Sequence, residues 1–370
     1  RNKSMKHLVI NPLWITNSSL ENLSKLQRFQ PLTSLVLCCN LETMEKHMSA
    51  IGSFISEFQF LNSITISSIV DVSKFLLKLN PYQLQELEVD IADHLDLNIL
   101  RNFNGVLRHL SIYALEYSYS EEYKFNIPLI ESLESFKFVL FNNYNLNCTK
   151  LGQQISLLKN LRSLHLELFM QCNKPGKFFE GLDASYPSLE TFSLKLKQME
   201  GEIVPLTNFL NCNSMALRSL KLDFMSTDFS EKVTNLLLDT LQGFCGQLQN
   251  FKLVANCRPL AMLNKKDAVS RLISGLYSAE KLYFEIGPGF FLTEKEILRI
   301  IESISGLKQA REVTFIARLN HINPETRSQI IRDIQTKIRF SGINIEIYVD
   351  WMLDKLIREN MGKHRILLMA

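Results

Sequence analysis

The chain has 370 residues, of which 46% are hydrophobic and 21% charged, with a net charge of +3. This length exceeds the usual size of one compact core, so we expect either two domains or an elongated repeat array. The balance of 41 basic against 38 acidic residues disfavours the strongly basic class of proteins that bind phosphate backbones without regard to sequence.

Cysteine usage and hydropathy indicate the compartment. The seven cysteines are an odd number and contain no CxxC pair, which fits neither a disulfide framework nor a zinc site. We interpret the adjacent Cys38 and Cys39 as free thiols, because neighbouring cysteines seldom form an unstrained bridge. No stretch approaches the roughly 18 apolar residues of a membrane-spanning helix, and the N-terminus lacks a basic-then-apolar leader. The expectation is an intracellular protein, cytoplasmic or nuclear, without a membrane partner.

A leucine-centred repeat recurs along nearly the whole chain. Residues 32–40, LTSLVLCCN, fit the pattern LxxLxLxxN at every specified position. Further copies follow at intervals of 23 to 32 residues. Their first positions are Met5, Leu32, Leu61, Leu84, Leu107, Leu133, Leu161, Leu189, Leu217, Leu248, Ala279, Ala310 and Gly342. The sequence therefore predicts about thirteen repeats.

The LxL part of each copy predicts a short strand. Its two apolar residues, such as Leu35 and Leu37, share one face of the strand, while the residues beside them point the other way. We call each such pair the dyad of its repeat. One strand cannot bury its apolar face alone, so successive copies must stack into a parallel sheet with their return segments along the other side.

The return segments differ along the chain. Between Leu84 and Leu133 the repeats are too short for long helices, which predicts short turns or 3₁₀ pieces. Asp267 opens a run at helical spacing. A capping box, Thr293-Glu294-Lys295-Glu296, predicts the next helix start, and Asn323 with Pro324 predicts another.

The carboxyl end departs from the pattern. We place the last repeat at Gly342, Ile345 and Ile347, which gives a solenoid over residues 1–349. An apolar helical stripe that starts at Trp351 predicts a helix covering the open end of the sheet, so residues 350–370 form a cap and tail. The final apolar residues 365–370 either dock on this cap or engage a partner, and docking is the preferred alternative.

Residues 151–164, LGQQISLLKNLRSL, are similar to the LGxxLxxLxNLxxL run of ribonuclease-inhibitor-like leucine-rich repeats. The chain thus resembles the leucine-rich-repeat superfamily over nearly its whole length. That resemblance implies an α/β horseshoe with the parallel sheet on the concave side and with helices and short turns on the convex side. The class includes inhibitors, substrate receptors of ubiquitin ligases, activators of the GTPase Ran and scaffold subunits.

In this frame the residues that flank each dyad position face the concave side, where neighbouring strands stand about 5 Å apart. The central column is Val9, Val36, Thr65, Glu88, Ser111, Lys137, His165, Ser193, Lys221, Lys252, Tyr283, Thr314 and Glu346. The neighbouring column is Asn11, Cys38, Ser67, Asp90, Tyr113, Val139, Glu167, Lys195, Asp223, Val254, Glu285, Ile316 and Tyr348. These columns are the candidate partner-binding surface.

Charge is unevenly distributed over this surface. Glu86, Glu88 and Asp90 form an acidic strand. The basic band consists of Lys137, His165, Lys195, Lys221 and Lys252, with Tyr113 and Tyr283 beside it. A solvated sheet face has to be polar in any case; the functional hypothesis is that the basic band contacts an acidic protein segment. Phe290, in the loop GPGFFL of residues 287–292, is either the hydrophobic staple of the next helix or a partner contact.

Catalytic patterns are missing from the sequence. There is no phosphate-binding GxxxxGK[ST], no HExxH, no GxSxG and no cluster of Cys and His at metal spacing. We therefore expect a protein that is not an enzyme and needs no cofactor. The leading hypothesis is a protein-binding scaffold or recognition subunit of a larger assembly. The alternatives are a ubiquitin-ligase substrate receptor, whose adaptor-binding module would lie upstream of Arg1, and a protein subunit of a ribonucleoprotein.

Overall fold

The computed structural model divides into two compact units, unit 1 (Arg1–Met170) and unit 2 (Gln171–Ala370). The structure describes residues 6–10, 32–39, 51–53, 55–68, 73–91, 97–114, 127–141, 147–169, 175–182, 185–197, 203–225, 231–256, 267–286, 293–319, 325, 328–329, 332, 343–349 and 365–369.

Unit 1 is built around parallel strands that pair in chain order. Its described strands are β1 (His7–Ile10), β2 (Ser34–Cys39), β3 (Ser63–Ser68), β4 (Glu86–Ile91), β5 (His109–Ala114), β6 (Ser135–Phe141) and β7 (Ser163–Phe169). Its described return segments are helix α1 (Ser73–Leu76), a 3₁₀ helix (Leu97–Phe103) and helix α2 (Cys148–Ser156). The 3₁₀ helix confirms the predicted short return in the repeat that begins at Leu84. The return of the next repeat, residues 115–126, lies outside the described residues.

Unit 2 repeats the same arrangement with longer helices. Its described strands are β8 (Thr191–Lys197), β9 (Ser219–Met225), β10 (Asn250–Asn256), β11 (Lys281–Ile286), β12 (Glu312–Leu319), β13 (Ile343–Val349) and β14 (Arg365–Met369). Its described returns are α3 (Pro175–Gly181), α4 (Val204–Asn213), α5 (Glu231–Gln242), a 3₁₀ turn (Cys245–Gln247), α6 (Ala268–Gly275) and α7 (Glu294–Ser305).

The dyads form the core of each unit. From Leu35 to Phe315, no dyad residue is more than 5% exposed. Return helices supply the opposite wall, as in unit 2, where the rings of Phe192 on β8 and Phe209 on α4 lie 4.9 Å apart. Because apolar burial dominates folding energetics, this alternation holds each strand in register. The predicted α/β solenoid fold, a parallel sheet with helical and short returns, is confirmed in each unit.

A second set of hydrogen bonds ties the strands together where they begin. In unit 2 the carbonyl of Arg218 accepts the N–H groups of Gln249 and Asn250, at 2.8 and 3.1 Å. The same double acceptance recurs one repeat later at the carbonyl of Gln249. Both carbonyl lone pairs are used, so this backbone is fully satisfied. We call the side of the unit 2 sheet on which the strands begin the entry edge. The residues at equivalent positions along it, each just before a strand, are Glu190, Arg218, Gln249, Glu280 and Arg311.

Two of the predicted helix starts lie in the described residues. Thr293 caps α7 through a complete capping box, in which its backbone N–H donates to Glu296 Oε2 at 2.7 Å. Asp267 precedes α6 as predicted but does not cap it, because it has a φ of 79° and its side chain accepts no hydrogen bond from the helix N-terminus. Its carboxylate instead accepts from Arg299 of α7. The predicted start at Asn323 and Pro324 lies outside the described residues.

The carboxyl end requires a correction. The register pairs Thr314 with Asn344 and Ile316 with Glu346, so the predicted alignment of Thr314 with Glu346 was wrong by two residues. Ile343, Ile345 and Ile347 alternate at the same spacing, and either neighbouring pair could therefore serve as the dyad. Strand β14 pairs in parallel with β13, so residues 365–369 extend the sheet rather than form a separate tail. The predicted cap helix after Asp350 lies outside the described residues.

Candidate binding surface

The sheet face opposite the dyads keeps most of its side chains in contact with solvent. We call it the open face; it carries the central and neighbouring columns predicted from the sequence. Most of its described residues are half-buried or exposed. Three predicted positions are buried instead: Val139, Ser193 and Val254 are 2%, 8% and 5% exposed. Val139 is covered because its register neighbours are the longer side chains of Tyr113 and Glu167.

On the unit 1 open face, the predicted basic residues lie in a mixed cluster. We call Tyr113, Lys137, His165 and Glu167 the unit 1 charge cluster. The Lys137 ammonium donates to Tyr113 Oη at 2.8 Å and lies 4.8 Å from the centroid of that ring. Glu167 Oε1 lies 2.8 Å from His165 Nε2 and 4.0 Å from Lys137 Nζ. One carboxylate therefore faces both basic groups, and a partner would meet a nearly neutral surface.

The unit 2 open face leaves more of its positive charge unbalanced. Lys221 and Lys252 are direct register partners on β9 and β10. Lys221 is exposed, and its side chain makes no hydrogen bond or ion pair within the described residues. Lys252 Nζ lies 4.8 Å from the centroid of the Tyr283 ring, which is the geometry of a cation–π contact. Two like charges side by side repel one another and would be relieved by an anionic partner.

The remaining charged residues of the unit 2 open face moderate this pair. Tyr283 donates its hydroxyl to Glu285 Oε2 at 2.8 Å, which fixes the ring that Lys252 faces. Lys195 is the register partner of Asp223, so their opposite charges are neighbours. Of the predicted band in unit 2, Lys221 and Lys252 are therefore the residues best placed to meet a ligand.

The acidic strand lies on the unit 1 open face as predicted. Glu86 is exposed, and Glu88 and Asp90 are half-buried along β4. None of the three carboxylates makes a side-chain hydrogen bond or ion pair with the residues that the structure describes. Successive carboxylates on one face of this parallel strand are spaced by about 6.6 Å. Water can solvate three like charges at this spacing, so solvation alone explains the acidic strand.

An aromatic pair on the unit 1 open face was not predicted. Phe141 and Phe169 are register partners at the ends of β6 and β7. Their rings are stacked, with centroids 4.7 Å apart and planes inclined by 7°. Phe141 is 37% exposed. Extending the strand alternation by one more position would have placed both residues on this face. Offset-stacked rings at a surface offer a rigid apolar contact.

The described cysteines separate into accessible and buried thiols. Cys212 is exposed and Cys38 is half-buried, whereas Cys148 and Cys245 are buried. Burial raises the pKa of the Cys245 thiol, so less of the reactive thiolate is present at neutral pH. We expect a thiol reagent to label Cys212 first, Cys38 more slowly, and Cys148 and Cys245 only on unfolding. Mass spectrometry of peptides from a timed labelling checks this order. Early labelling of Cys245 would contradict it.

Several classes of site receive no support in the described part of the chain. No group of three or more His, Cys, Asp or Glu side chains among the described residues is placed to bind a metal ion. None of the described helices is both long and apolar enough to cross a membrane. The predicted loop contact Phe290 lies outside the described residues.

Comparison with known proteins adds no identity. No protein-family model matches the chain, and no curated protein matches it significantly. A function for the chain therefore has to be proposed from its own surfaces.

Proposed function

We propose that this chain is a non-catalytic protein-binding scaffold or recognition subunit of a larger intracellular assembly. In this proposal it is a leucine-rich-repeat protein of the ribonuclease-inhibitor-like type, and its open face holds the partner. The observation that carries the proposal is the adjacent pair Lys221 and Lys252, of which Lys221 is exposed without a partner among the described residues and Lys252 is held against Tyr283.

The chemistry of this pair favours an acidic protein segment. Carboxylates would neutralise two ammonium groups that stand on neighbouring strands, and complementary charge orients the encounter. Tyr283 adds a large aromatic surface whose hydroxyl is already bonded to Glu285, and fixed aromatic groups are frequent binding hot spots. Nucleic acid is less well matched, because Asp223 and Glu285 stand on the same face and would repel a phosphate backbone.

Charge reversal at the pair tests the proposal. We expect Lys221→Glu with Lys252→Glu to lower the recovery of the chain's specific partners at least about tenfold, since each contact changes from attraction to repulsion. The measurement is quantitative mass spectrometry of proteins that copurify with the tagged chain from cells, with wild type and variant compared directly.

The matched control is Lys177→Glu with Lys232→Glu, which makes the same charge change at two exposed lysines on α3 and α5. Proteins lost with the face variant but kept with the control are the partners in question. If both variants recover the same proteins as wild type, the open face of unit 2 is not the binding surface. Loss of RNA rather than protein would instead support the ribonucleoprotein alternative.

A further inference from the structure

A groove of about 410 Å³ opens at the entry edge of unit 2, and neither Lys221 nor Lys252 lines it. Its lining residues are Arg218, Gly246, Gln247, Gln249, Tyr277, Ser278, Glu280 and Gln309. They come from three consecutive repeats, which begin at Leu217, Leu248 and Ala279. This volume falls within the range of about 300–1,000 Å³ that is usual for ligand sites.

Arg218 is the cationic group of this groove that is free to bind. Its side chain is exposed and makes no hydrogen bond or ion pair within the described residues. Glu280, the carboxylate of the same groove, has its Oε2 3.8 Å from Nε of Arg311. A free guanidinium offers donors in a planar fork that matches a carboxylate in two parallel hydrogen bonds.

Tyr277 provides an exposed aromatic group in the same groove as Arg218. The side chain is 66% exposed, although its ring rests on the backbone of Gly246. A Cβ atom at position 246 would lie 2.5 Å from the Tyr277 hydroxyl, so alanine there would displace the ring. Because a tyrosine side chain has few torsions to fix, an exposed tyrosine offers a large contact area at a small cost in conformational entropy.

The amide side chains complete a lining suited to a peptide. Gln249 and Gln309 are exposed, and each can donate to and accept from a peptide main chain. Gln247 is held by its own donation to the carbonyl of Ser214. Arg218 supplies the anion contact, Tyr277 the apolar contact and the glutamines the main-chain contacts.

We propose that this groove is a second binding site, for an extended peptide segment that places an Asp, a Glu or a terminal carboxylate on Arg218. The site goes beyond the open face and does not require the partner of Lys221 and Lys252. A nucleic acid fits less well, because it carries a charge at every phosphate, whereas the described residues that line the groove supply one cation, Arg218, together with the carboxylate of Glu280.

The test begins with peptides displayed on phage as random heptamers and selected on the full chain. We expect the recovered sequences to be enriched in Asp and Glu or to require a free C-terminus. The tightest peptide is then labelled with fluorescein and titrated by fluorescence anisotropy. We expect Arg218→Gln to weaken its binding about tenfold or more, as is usual for a lost hydrogen-bonded ion pair. Arg218→Lys should fall between the two.

Two further variants test the contribution of the Tyr277 ring to peptide binding. Tyr277→Ala removes the ring, and Gly246→Ala displaces it without removing it. Both variants should bind the peptide severalfold more weakly than wild type. The matched controls are Arg271→Gln on α6 and Tyr82→Ala in unit 1, which change an exposed arginine and a tyrosine that is 82% exposed, neither of which lines the groove. Both should bind within twofold of wild type.

The proposal is overturned by selected peptides without acidic enrichment or a required C-terminus, or by an Arg218→Gln variant that binds within twofold of wild type. Stronger binding of an eight-nucleotide oligouridine that competes with the peptide would overturn it in favour of RNA. The Lys221→Glu, Lys252→Glu variant should bind the peptide normally. Loss of partners with that variant and loss of the peptide with Arg218→Gln are therefore separate results.

Discussion

Phe138→Ala is expected to lower the free energy of unfolding of unit 1 by about 3–5 kcal/mol, the usual cost of removing a buried ring. Phe138 belongs to the β6 dyad, is 0% exposed and stacks on Phe136 with centroids 6.2 Å apart. The cavity would open in the core behind β6, which pairs with β5 on one side and β7 on the other. Because neighbouring repeats share this core, the repeats that contain β5 and β7 should lose stability together with the repeat that contains β6.

The matched control is the residue immediately before it. Lys137→Ala changes a long side chain on the same strand, but Lys137 lies on the open face and is 33% exposed. Its contacts with Tyr113 and Glu167 are partly solvated, and we expect their loss to cost less than about 1 kcal/mol. Urea denaturation followed by circular dichroism gives the overall change, and hydrogen exchange of β5, β6 and β7 assigns it to unit 1.

These two variants differ by one position and test the alternation directly. If Lys137→Ala cost as much as Phe138→Ala, the face assignment of β6 would be wrong. The assignment of every column on the open face would then have to be redrawn, since all columns follow from the same period of two.

The repeat architecture could be predicted because each repeat carries its own short sequence pattern. Each LxL dyad needs only a strand and a neighbour to bury it, and the same pattern recurs at intervals of 23 to 32 residues. The capping box at Thr293 could be recognised for the same reason, since both of its partners lie within four residues.

In the last repeat the sequence pattern does not determine the strand register. Three isoleucines alternate in Ile343-Asn344-Ile345-Glu346-Ile347, so apolar periodicity is equally satisfied by two registers that differ by two residues. Choosing between them depends on how strand β13 packs against β12, which is a tertiary property. Asp267 was ambiguous in a similar way, because its distant partner Arg299 competes with the helix end for its carboxylate.

The residues of the open face were predicted more fully than the charge pairing among them. Column membership follows from the period of the strand, but charge pairing depends on side-chain directions, which placed Glu167 between His165 and Lys137. The entry-edge groove had no signal in the sequence. Arg218, Tyr277 and Gln309 lie far apart along the chain, and only the stacking of repeats brings them to one groove.

Gly52→Ala should destabilise unit 1, although alanine normally favours a helix over glycine by about 0.5–1 kcal/mol. Gly52 is buried in a helical return between β2 and β3. A Cβ atom there would lie 2.8 Å from the Phe75 carbonyl oxygen and 2.9 Å from the Lys78 Cβ. The first of these is a backbone atom of the next return segment, which cannot rotate away as a side chain can. We expect the overpacking to cost about 1–3 kcal/mol and to exceed the helical gain.

The decisive measurement is the sign of the change in the free energy of unfolding of Gly52→Ala, because helix propensity predicts an increase and overpacking predicts a decrease. Gly306→Ala is the control: it follows α7 with a φ of −79°, and its nearest new contact would be the Ser303 carbonyl oxygen at 3.4 Å. That substitution should be neutral or stabilise by up to about 1 kcal/mol through the unfolded chain. Thermal and urea unfolding of the two variants should therefore move in opposite directions, or only Gly52→Ala should move. A Gly52→Ala protein as stable as wild type would mean that successive return segments in unit 1 do not approach as closely as the Phe75 contact requires.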